Sequence, residues 1–378
     1  MGSLIRYIHS QVISDLQNKM VFVGGPRQVG KTTYSLSLLK PASVAHPAYL
    51  NWDDAESRQI VKTGQFPAEQ KLIILDEIHK YKNWRNMLKG FYDKQKSTHQ
   101  FLVTGSARLD YYRRGGDSLM GRYHYHRLHP YSLTEVSAKS KDDINHLLSF
   151  GGFPEPFHKA NMTFKKRWQM ERNKKIIFED IRDLENVEEI SIMEDVLDKI
   201  PPTVGSLLSY QSIANDLQVN IRSIQKWIEI FDNLYLTFRI RPYVSGKLRL
   251  VKKAHRIYFW DWSFLQDDGA RFENFVASHL LKYCHFVEDT EGEKMELMYL
   301  RDVDDHEIDF VVLKNKKPIF AVECKIGERA VSSNIHYFKE RLNIPYFYQV
   351  HLGNKHYSPE KNSEVIPFLE FCKKVGIP

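Results

Sequence analysis

Residues 25–32 read Gly25-Pro26-Arg27-Gln28-Val29-Gly30-Lys31-Thr32, with glycine, glycine, lysine and a hydroxyl at the four positions of GxxxxGK[ST]. The spacing has a chemical reason. Gly25 and Gly30 let the backbone curl until successive N–H groups point inward at phosphate oxygens. Thr32 and Thr33 then open a helix whose positive end adds to the anion site. Lys31 is expected to reach the β- and γ-phosphates of ATP and the Thr32 hydroxyl to ligate Mg2+. Gly25 through Thr33 are therefore the expected nucleotide-binding residues.

A second run, Leu72-Ile73-Ile74-Leu75, ends in Asp76-Glu77. Asp76 at the strand tip is placed to hold magnesium, and Glu77 to polarise an attacking water. The paired acids favour hydrolysis over transfer to a small acceptor. A third run, Gln100-Phe101-Leu102-Val103, ends in Thr104-Gly105-Ser106. Thr104, or failing it Ser106, would sense the γ-phosphate from between the two motifs; an ordinary turn at a strand end accounts for the same residues. Five arginines follow: Arg108, Arg113, Arg114, Arg122 and Arg127. Arg122 is the preferred arginine finger for a neighbouring copy's nucleotide, which would require a homo-oligomer.

The elements that must carry these residues are legible from the apolar runs. Met20-Val21-Phe22-Val23-Gly24 reads as a buried strand leading into the loop. Residues 162–189 read as a charged helical stretch, with Lys165-Lys166-Arg167 and Lys174-Lys175 taken as a solvated face. A helix over Tyr210–Leu217, a turn at Gln218-Val219-Asn220, and a helix over Ile221–Asn233 follow. The extended run Leu234–Ile240 then completes a winged helix-turn-helix pattern. Arg222, Ser223, Gln225 and Lys226 would face outward on the second helix, toward DNA or toward a packing partner.

The last third carries a different acid pattern. A helix beginning at Arg271 supplies Glu273, a strand Glu307–Leu313 supplies Asp309, and the next strand ends in Glu323-Cys324-Lys325. Strand alternation puts Glu323 and Lys325 on one face. Asp309 and Glu323 would hold a divalent ion, Lys325 would position or activate a water, and Glu273 would be an additional ligand. Near these acids in sequence, only Lys325 offers an evident countercharge.

Composition bounds the rest. A chain of 378 residues with 42% hydrophobic and 13% aromatic residues can build two or three cored domains. The three cysteines, Cys284, Cys324 and Cys372, form no CxxC pair, which fits a reducing compartment better than a disulfide framework. No apolar run approaches a bilayer span and no signal-peptide pattern opens the chain, so a soluble cytoplasmic protein is expected. The net charge of +7 is uneven: +8 over residues 1–160, +3 over 161–265 and −4 over 266–378. A basic front suits a polyanion, nucleotide or nucleic acid; the acidic last third is unlike a free-standing nuclease.

The whole chain resembles the prokaryotic AAA-type ATPase family with a C-terminal restriction-endonuclease-like domain of unknown function. The residues that carry the resemblance are Gly25–Thr33, Asp76-Glu77-Ile78 with Trp84, and Thr104-Gly105-Ser106. To these are added Gly121-Arg122-Tyr123, Gly151-Gly152-Phe153-Pro154-Glu155 and Ile257-Tyr258-Phe259-Trp260-Asp261. The resemblance implies an α/β multidomain chain in three parts. Residues 1–160 would be a P-loop NTPase parallel sheet with helices on both faces, and 161–262 a helical and winged-helix region. Residues 263–378 would be a small α/β restriction-endonuclease-like domain. Two functions are compatible with this order: an ATPase acting on DNA with a metal-dependent nuclease site, or a nucleotide-switched regulatory or DNA-binding protein whose nuclease-like fold is inactive.

Overall fold

The computed structural model describes residues 4–105, 119–181, 190–244 and 254–378. The chain forms two compact units, Met1–His129 with Asn233–Tyr235, and Pro130–Asp232 with Leu236–Pro378.

The first unit is built on five parallel strands: β1 (Met20–Gly24), β2 (Tyr49–Asn51), β3 (Leu72–Asp76), β4 (Gln100–Thr104) and β5 (Tyr123–Arg127). Their order across the sheet is β2-β3-β4-β1-β5. Every residue of β1 is buried, as expected of a parallel strand covered on both faces. β4 lies between β1 and β3, and its register sets Thr104 beside Val23 on one side and Asp76 on the other. The loop after β1 and the acids after β3 therefore emerge at the same, C-terminal edge of the sheet, where open α/β sheets bind ligands. Helix α1 (His9–Asp15) precedes β1, α2 (Lys31–Ser37) follows the loop, and α3 (Ala55–Thr63) and α4 (Trp84–Gln95) complete the connections.

The second unit begins with helices α5 (Lys141–Phe150), α6 (Pro154–Lys159), α7 (Met162–Lys175) and α8 (Ile190–Lys199). Not all of the basic run on α7 is solvated. Lys165 is buried and donates to the carbonyls of Ser149 (2.8 Å) and Ser263 (3.1 Å). The buried Arg172 guanidinium lies 4.4 Å from the centre of the Phe153 ring. Each long stem brings its charge to a polar or aromatic partner inside the unit.

Helices α9 (Tyr210–Leu217) and α10 (Ile221–Asn233) follow as expected. The Ser209 hydroxyl caps α9 by accepting from Ser212 N, and Asn220 Oδ1 accepts from Arg222 N at the start of α10. Ile224, Trp227, Ile228 and Phe231 are buried at helical spacing. The next strands, β6 (Thr237–Pro242) and β7 (Arg256–Phe259), pair antiparallel. They do not form a free-standing wing, because β6 also pairs parallel with β8 (Met295–Arg301) and so extends the last sheet.

That sheet has eight strands, ordered β12-β13-β11-β10-β9-β8-β6-β7. Its remaining members are β9 (Glu307–Lys314), β10 (Lys317–Cys324), β11 (Phe347–His351), β12 (Tyr357–Glu360) and β13 (Ser363–Pro367). The long helix α11 (Asp268–Glu291) packs on β7 through β10, burying Phe272, Phe275, Val276 and Leu280. Helix α12 (Ser333–Arg341) closes a separate core with Ile335 and Phe338 against Ile308, Val311 and Phe347; α13 (Phe368–Val375) ends the chain.

The segment after β5 is tied to α11 by a buried charge. Lys282 Nζ donates to Glu135 (2.5 Å), to Ser132 Oγ (2.9 Å) and to the Pro130 carbonyl (3.3 Å). Alongside, His279 Nε2 accepts from Leu133 N and Nδ1 meets the Phe275 carbonyl, so the ring is neutral with its proton on Nδ1. Burial pushes its pKa down to about 3. With side chains only 2% and 1% exposed, neither Lys282 nor Glu135 can turn to water if its partner is removed. Glu135→Leu is expected to destabilise the second unit by about 3–5 kcal/mol, and Glu135→Leu with Lys282→Met by much less. Urea denaturation of the two variants checks this; equal losses would mean the pair contributes packing alone.

Candidate functional site

At the C-terminal edge of the first sheet, the loop before α2 takes the curled form its glycines permit. Gly25 has φ +141° and a Cβ there would lie 2.4 Å from the Leu128 carbonyl oxygen; Gly30 has φ +95°. Gln28 also lies in the left-handed region, at φ +62°. Lys31 is buried, and its Nζ donates to the loop's own Gly25 and Pro26 carbonyls at 3.0 and 2.7 Å.

Asp76 is the centre of the site. It is buried, and both carboxylate oxygens are held by neutral donors. Oδ2 accepts from Thr32 Oγ1 (2.9 Å) and Tyr49 OH (2.7 Å), while Oδ1 accepts from Thr104 Oγ1 and from Glu77 N (3.1 Å). Among the described residues no lysine, arginine or histidine forms an ion pair with it. An acid buried in this way, with a threonine hydroxyl alongside, fits a magnesium ion's preference for hard oxygen donors. Thr32 and Asp76 are the residues that could hold it.

Glu77 follows with φ +56°, a sparsely populated conformation for glutamate. Its carboxylate is 3.5 Å from His79 Nε2 and 3.8 Å from Lys80 Nζ. Burial, then the neighbouring Asp76, push its pKa up, while Lys31 and Lys80 oppose them.

The structure thus brings Gly25–Thr33, Asp76, Glu77 and Thr104 together. Arg122 stands elsewhere: its carbonyl accepts from Met20 N at the opposite edge of the sheet, and Asp93 holds its guanidinium through two hydrogen bonds of 2.8 and 3.0 Å. It lies a strand's length of about 13 Å from the loop of its own unit. Arg127 is instead the arginine paired in register with Gly24 at the loop edge. Ser106, Arg108, Arg113 and Arg114 lie outside the described residues. Two contributors carry no motif. Tyr49 reaches Asp76 from β2, and the buried Arg6 donates to the Val29 carbonyl (2.9 Å) and to that of His129, bracing the loop's end.

The last sheet gathers a second cluster. Asp309 on β9, Glu323 on β10 and Glu273 on α11 converge, and Lys325 Nζ donates to Glu323 Oε1 at 2.7 Å. The expectation that only Lys325 would offset these acids needs correcting. Arg256 on β7, with no exposed side-chain surface, sets Nη1 3.5 Å from Glu273 and 3.4 Å from Asp309, and Nη2 2.6 Å from Glu307. Its guanidinium lies 5.0 Å from the Tyr299 ring centre. Tyr258 OH donates to Glu273 (2.8 Å) and Cys324 N to Asp309 (2.8 Å). Side-chain exposures of 12% for Asp309 and 4% for Glu323 leave no open cleft at the pair. Among the described residues no three His, Cys, Asp or Glu side chains stand at metal-ligating spacing. The cluster does not fit a divalent ion.

Residues 17–137 match a family described as an AAA domain. Residues 141–267 and 268–371 match two domains of unknown function, DUF8612 and DUF4143. An uncharacterized protein of Methanocaldococcus jannaschii is 22% identical over 351 residues, covering 83% of this chain and 76% of that protein. One from Mycobacterium tuberculosis is 23% identical over 314 residues, covering 79% and 68%. Among solved structures, the chain is similar to the Aeropyrum pernix ORC1 protein in complex with DNA (TM-score 0.31, 11% identity, 68% of this chain and 86% of that one). It is also similar to the Thermotoga maritima RuvB Holliday junction branch migration motor (TM-score 0.32, 13% identity, 61% and 88%). The first unit has the parallel sheet and phosphate loop of a P-loop NTPase fold. Among the described residues no helix is long and apolar enough to cross a membrane.

Burial, and then Asp309, hold Glu273 and Glu323 well above the usual carboxylate range. Above the ordinary glutamate pKa of about 4.3 the folded chain therefore keeps protons that the unfolded chain has lost, and its stability falls as pH rises. The melting temperature is expected to decline from about pH 5 to about pH 9, with Glu323→Gln flattening the decline. Calorimetric scans across that range test it; a melting temperature that rises through neutrality would contradict the placement of these acids.

Proposed function

We propose that the first unit binds ATP with magnesium and hydrolyses it. The observation that carries this is Asp76: a buried carboxylate satisfied by neutral donors, one of them the Thr32 hydroxyl, beside a loop shaped for phosphate. In this reading the N–H groups of Gly25–Thr33 cradle the phosphates, and Lys31 exchanges its bonds to the Gly25 and Pro26 carbonyls for the β- and γ-phosphate oxygens. Magnesium, held by Thr32 and Asp76, would neutralise charge on those oxygens. Glu77, kept out of a short ion pair and with a raised pKa, orients the attacking water and takes its proton. Thr104, bonded to Asp76 from the strand between, responds to the γ-phosphate. An arginine finger at Arg122 would have to serve a neighbouring copy, so it entails a homo-oligomer.

DNA is the proposed partner, through α10. Arg222, Gln225 and Lys226 are exposed on the side away from the buried Ile224, Trp227 and Ile228, as the second helix of a helix-turn-helix would present them. The +8 charge of residues 1–160 favours the same partner. For residues 263–378 two readings compete. Convergence of Asp309, Glu323, Lys325 and Glu273 favours a restriction-endonuclease-like site, while the Arg256 guanidinium among them favours a nuclease-like fold without nuclease activity. We take the second: a nucleotide-driven, DNA-associated regulatory ATPase whose last fold is catalytically silent.

Lys31→Ala is expected to lose ATP binding by calorimetry. Glu77→Gln should retain binding while hydrolysis, followed by phosphate release, slows by about 10²–10⁴-fold. Unaltered turnover in Glu77→Gln would move the water-orienting role to another group. For the DNA surface, Arg222→Ala with Lys226→Ala should weaken duplex binding and make it less steeply salt-dependent, by about one unit of log–log slope per lost phosphate contact. An unchanged salt slope would take α10 out of the interface.

A further inference from the structure

The acid cluster of the second unit is closed by parts that come from four places. β7 contributes Arg256 and Tyr258, α11 contributes Glu273, β9 contributes Glu307 and Asp309, and the end of β10 contributes Glu323 and Lys325. The backbone covers it as well. A Cβ at Gly205 would lie 2.8 Å from Glu273 Oε2, so the turn before α9 lies directly against that carboxylate.

Fixed cations answer the acids of this group. Glu273, Glu307, Asp309 and Glu323 meet Arg256, Lys325 and Arg301, the last of which donates to Glu307 at 2.8 Å and to Asp305 at 2.7 Å. Among the described residues of this cluster, Glu323 Oε2 is the buried carboxyl oxygen without a hydrogen-bond partner. A divalent ion there would enter a space where Asp309 Oδ2 already accepts from Cys324 N and Glu323 Oε1 from Lys325.

We propose that Arg256 is the resident cation of this cluster: its guanidinium lies 3.4 Å from Asp309, and with Lys325 bonded to Glu323 it leaves no place for a divalent ion between the two acids. The guanidinium spans three carboxylates on two elements, and the planar fork suits that better than a point charge would. Arg256 therefore fastens the β6–β7 strand pair, which follows the helix-turn-helix, to α11 and β9. The acids are retained as a joint between these elements rather than as catalytic ligands. The proposal rests on the silent-nuclease reading above and adds its cause.

Mn2+ binding by the nucleotide-free full chain, followed by electron paramagnetic resonance, tests this. Wild type and Asp309→Asn are expected to bind the same amount of Mn2+, because the cluster takes none. Arg256→Ala is expected to gain a Mn2+ site, and Arg256→Ala with Asp309→Asn to lose it again. Should Arg256→Ala fail to fold by near-ultraviolet circular dichroism, the comparison of wild type with Asp309→Asn still decides: Mn2+ lost in Asp309→Asn overturns the proposal. Plasmid incubated in parallel with Mn2+, with and without ATP, separates the two levels. Mn2+ bound at Asp309 without cleavage overturns the Arg256 proposal alone. Cleavage that Asp309→Asn abolishes overturns the silent-nuclease reading with it.

Discussion

A carboxylate withdrawn from water must be satisfied by hydrogen bonds or by opposite charge, and at Asp76 the chain supplies hydrogen bonds only. Four neutral donors are needed, and they come from four elements: Thr32 from the start of α2, Tyr49 from β2, Thr104 from β4 and the Glu77 N–H beyond β3 itself. That requirement accounts for much of the first unit's topology. β4 has to lie between β1 and β3 for Thr104 to reach Asp76 while the phosphate loop stays one strand further away. β2 has to run parallel beside β3, with Asn51 opposite Asp76, for the Tyr49 phenol to arrive on the same oxygen as Thr32. The result is an anion without a fixed countercharge among the described residues, at the edge of a sheet and beside a phosphate-shaped loop. In the function proposed above, magnesium arriving with the nucleotide would complete it.

The second unit meets the same constraint by the opposite means. Its acids converge as well, but the compensating charge is covalently part of β7. A pair of unit charges about 4 Å apart near a protein surface interacts by about 4 kcal/mol, so a guanidinium held by three carboxylates is not displaced by small rearrangements. The two acid groups thus differ in surroundings: neutral donors hold Asp76, and a buried guanidinium lies against Glu273, Glu307 and Asp309.

How far these conclusions were legible in the sequence follows from how local their causes are. The loop Gly25–Thr32 and the pair Asp76-Glu77 are contiguous, and each motif directly follows the strand that presents it, so their chemistry could be read from spacing. Helices α9 and α10 were equally accessible, because capping residues and an apolar face are short-range signals. Tyr49, Arg6 and Arg256 were not accessible, because each acts across a contact set by strand order. Arg256 is separated from Asp309 by 53 residues, and its role exists only once β7 is seated at the end of the eight-stranded sheet. The surroundings of Arg122 and Arg127 are likewise set by strand order: one lies at the strand edge opposite the loop and the other beside it.

Glu77 shows how backbone and charge combine at the site. Along a regular strand, successive side chains alternate between the two faces of the sheet. A further extended residue after Asp76 would continue that alternation. The positive φ breaks it, and the Glu77 N–H is held there twice, by Asp76 Oδ1 and by the Thr104 carbonyl, both at 3.1 Å. Those bonds offset a conformation that costs a glutamate about 1–3 kcal/mol. The carboxyl so placed feels Asp76 and Lys31 together, one raising its proton affinity and the other lowering it. A ligand that draws Lys31 onto phosphate, and a cation that settles on Asp76, would alter both influences at once. In the reading proposed above, with Glu77 as the base, occupancy of the loop would thus bear on the same carboxyl.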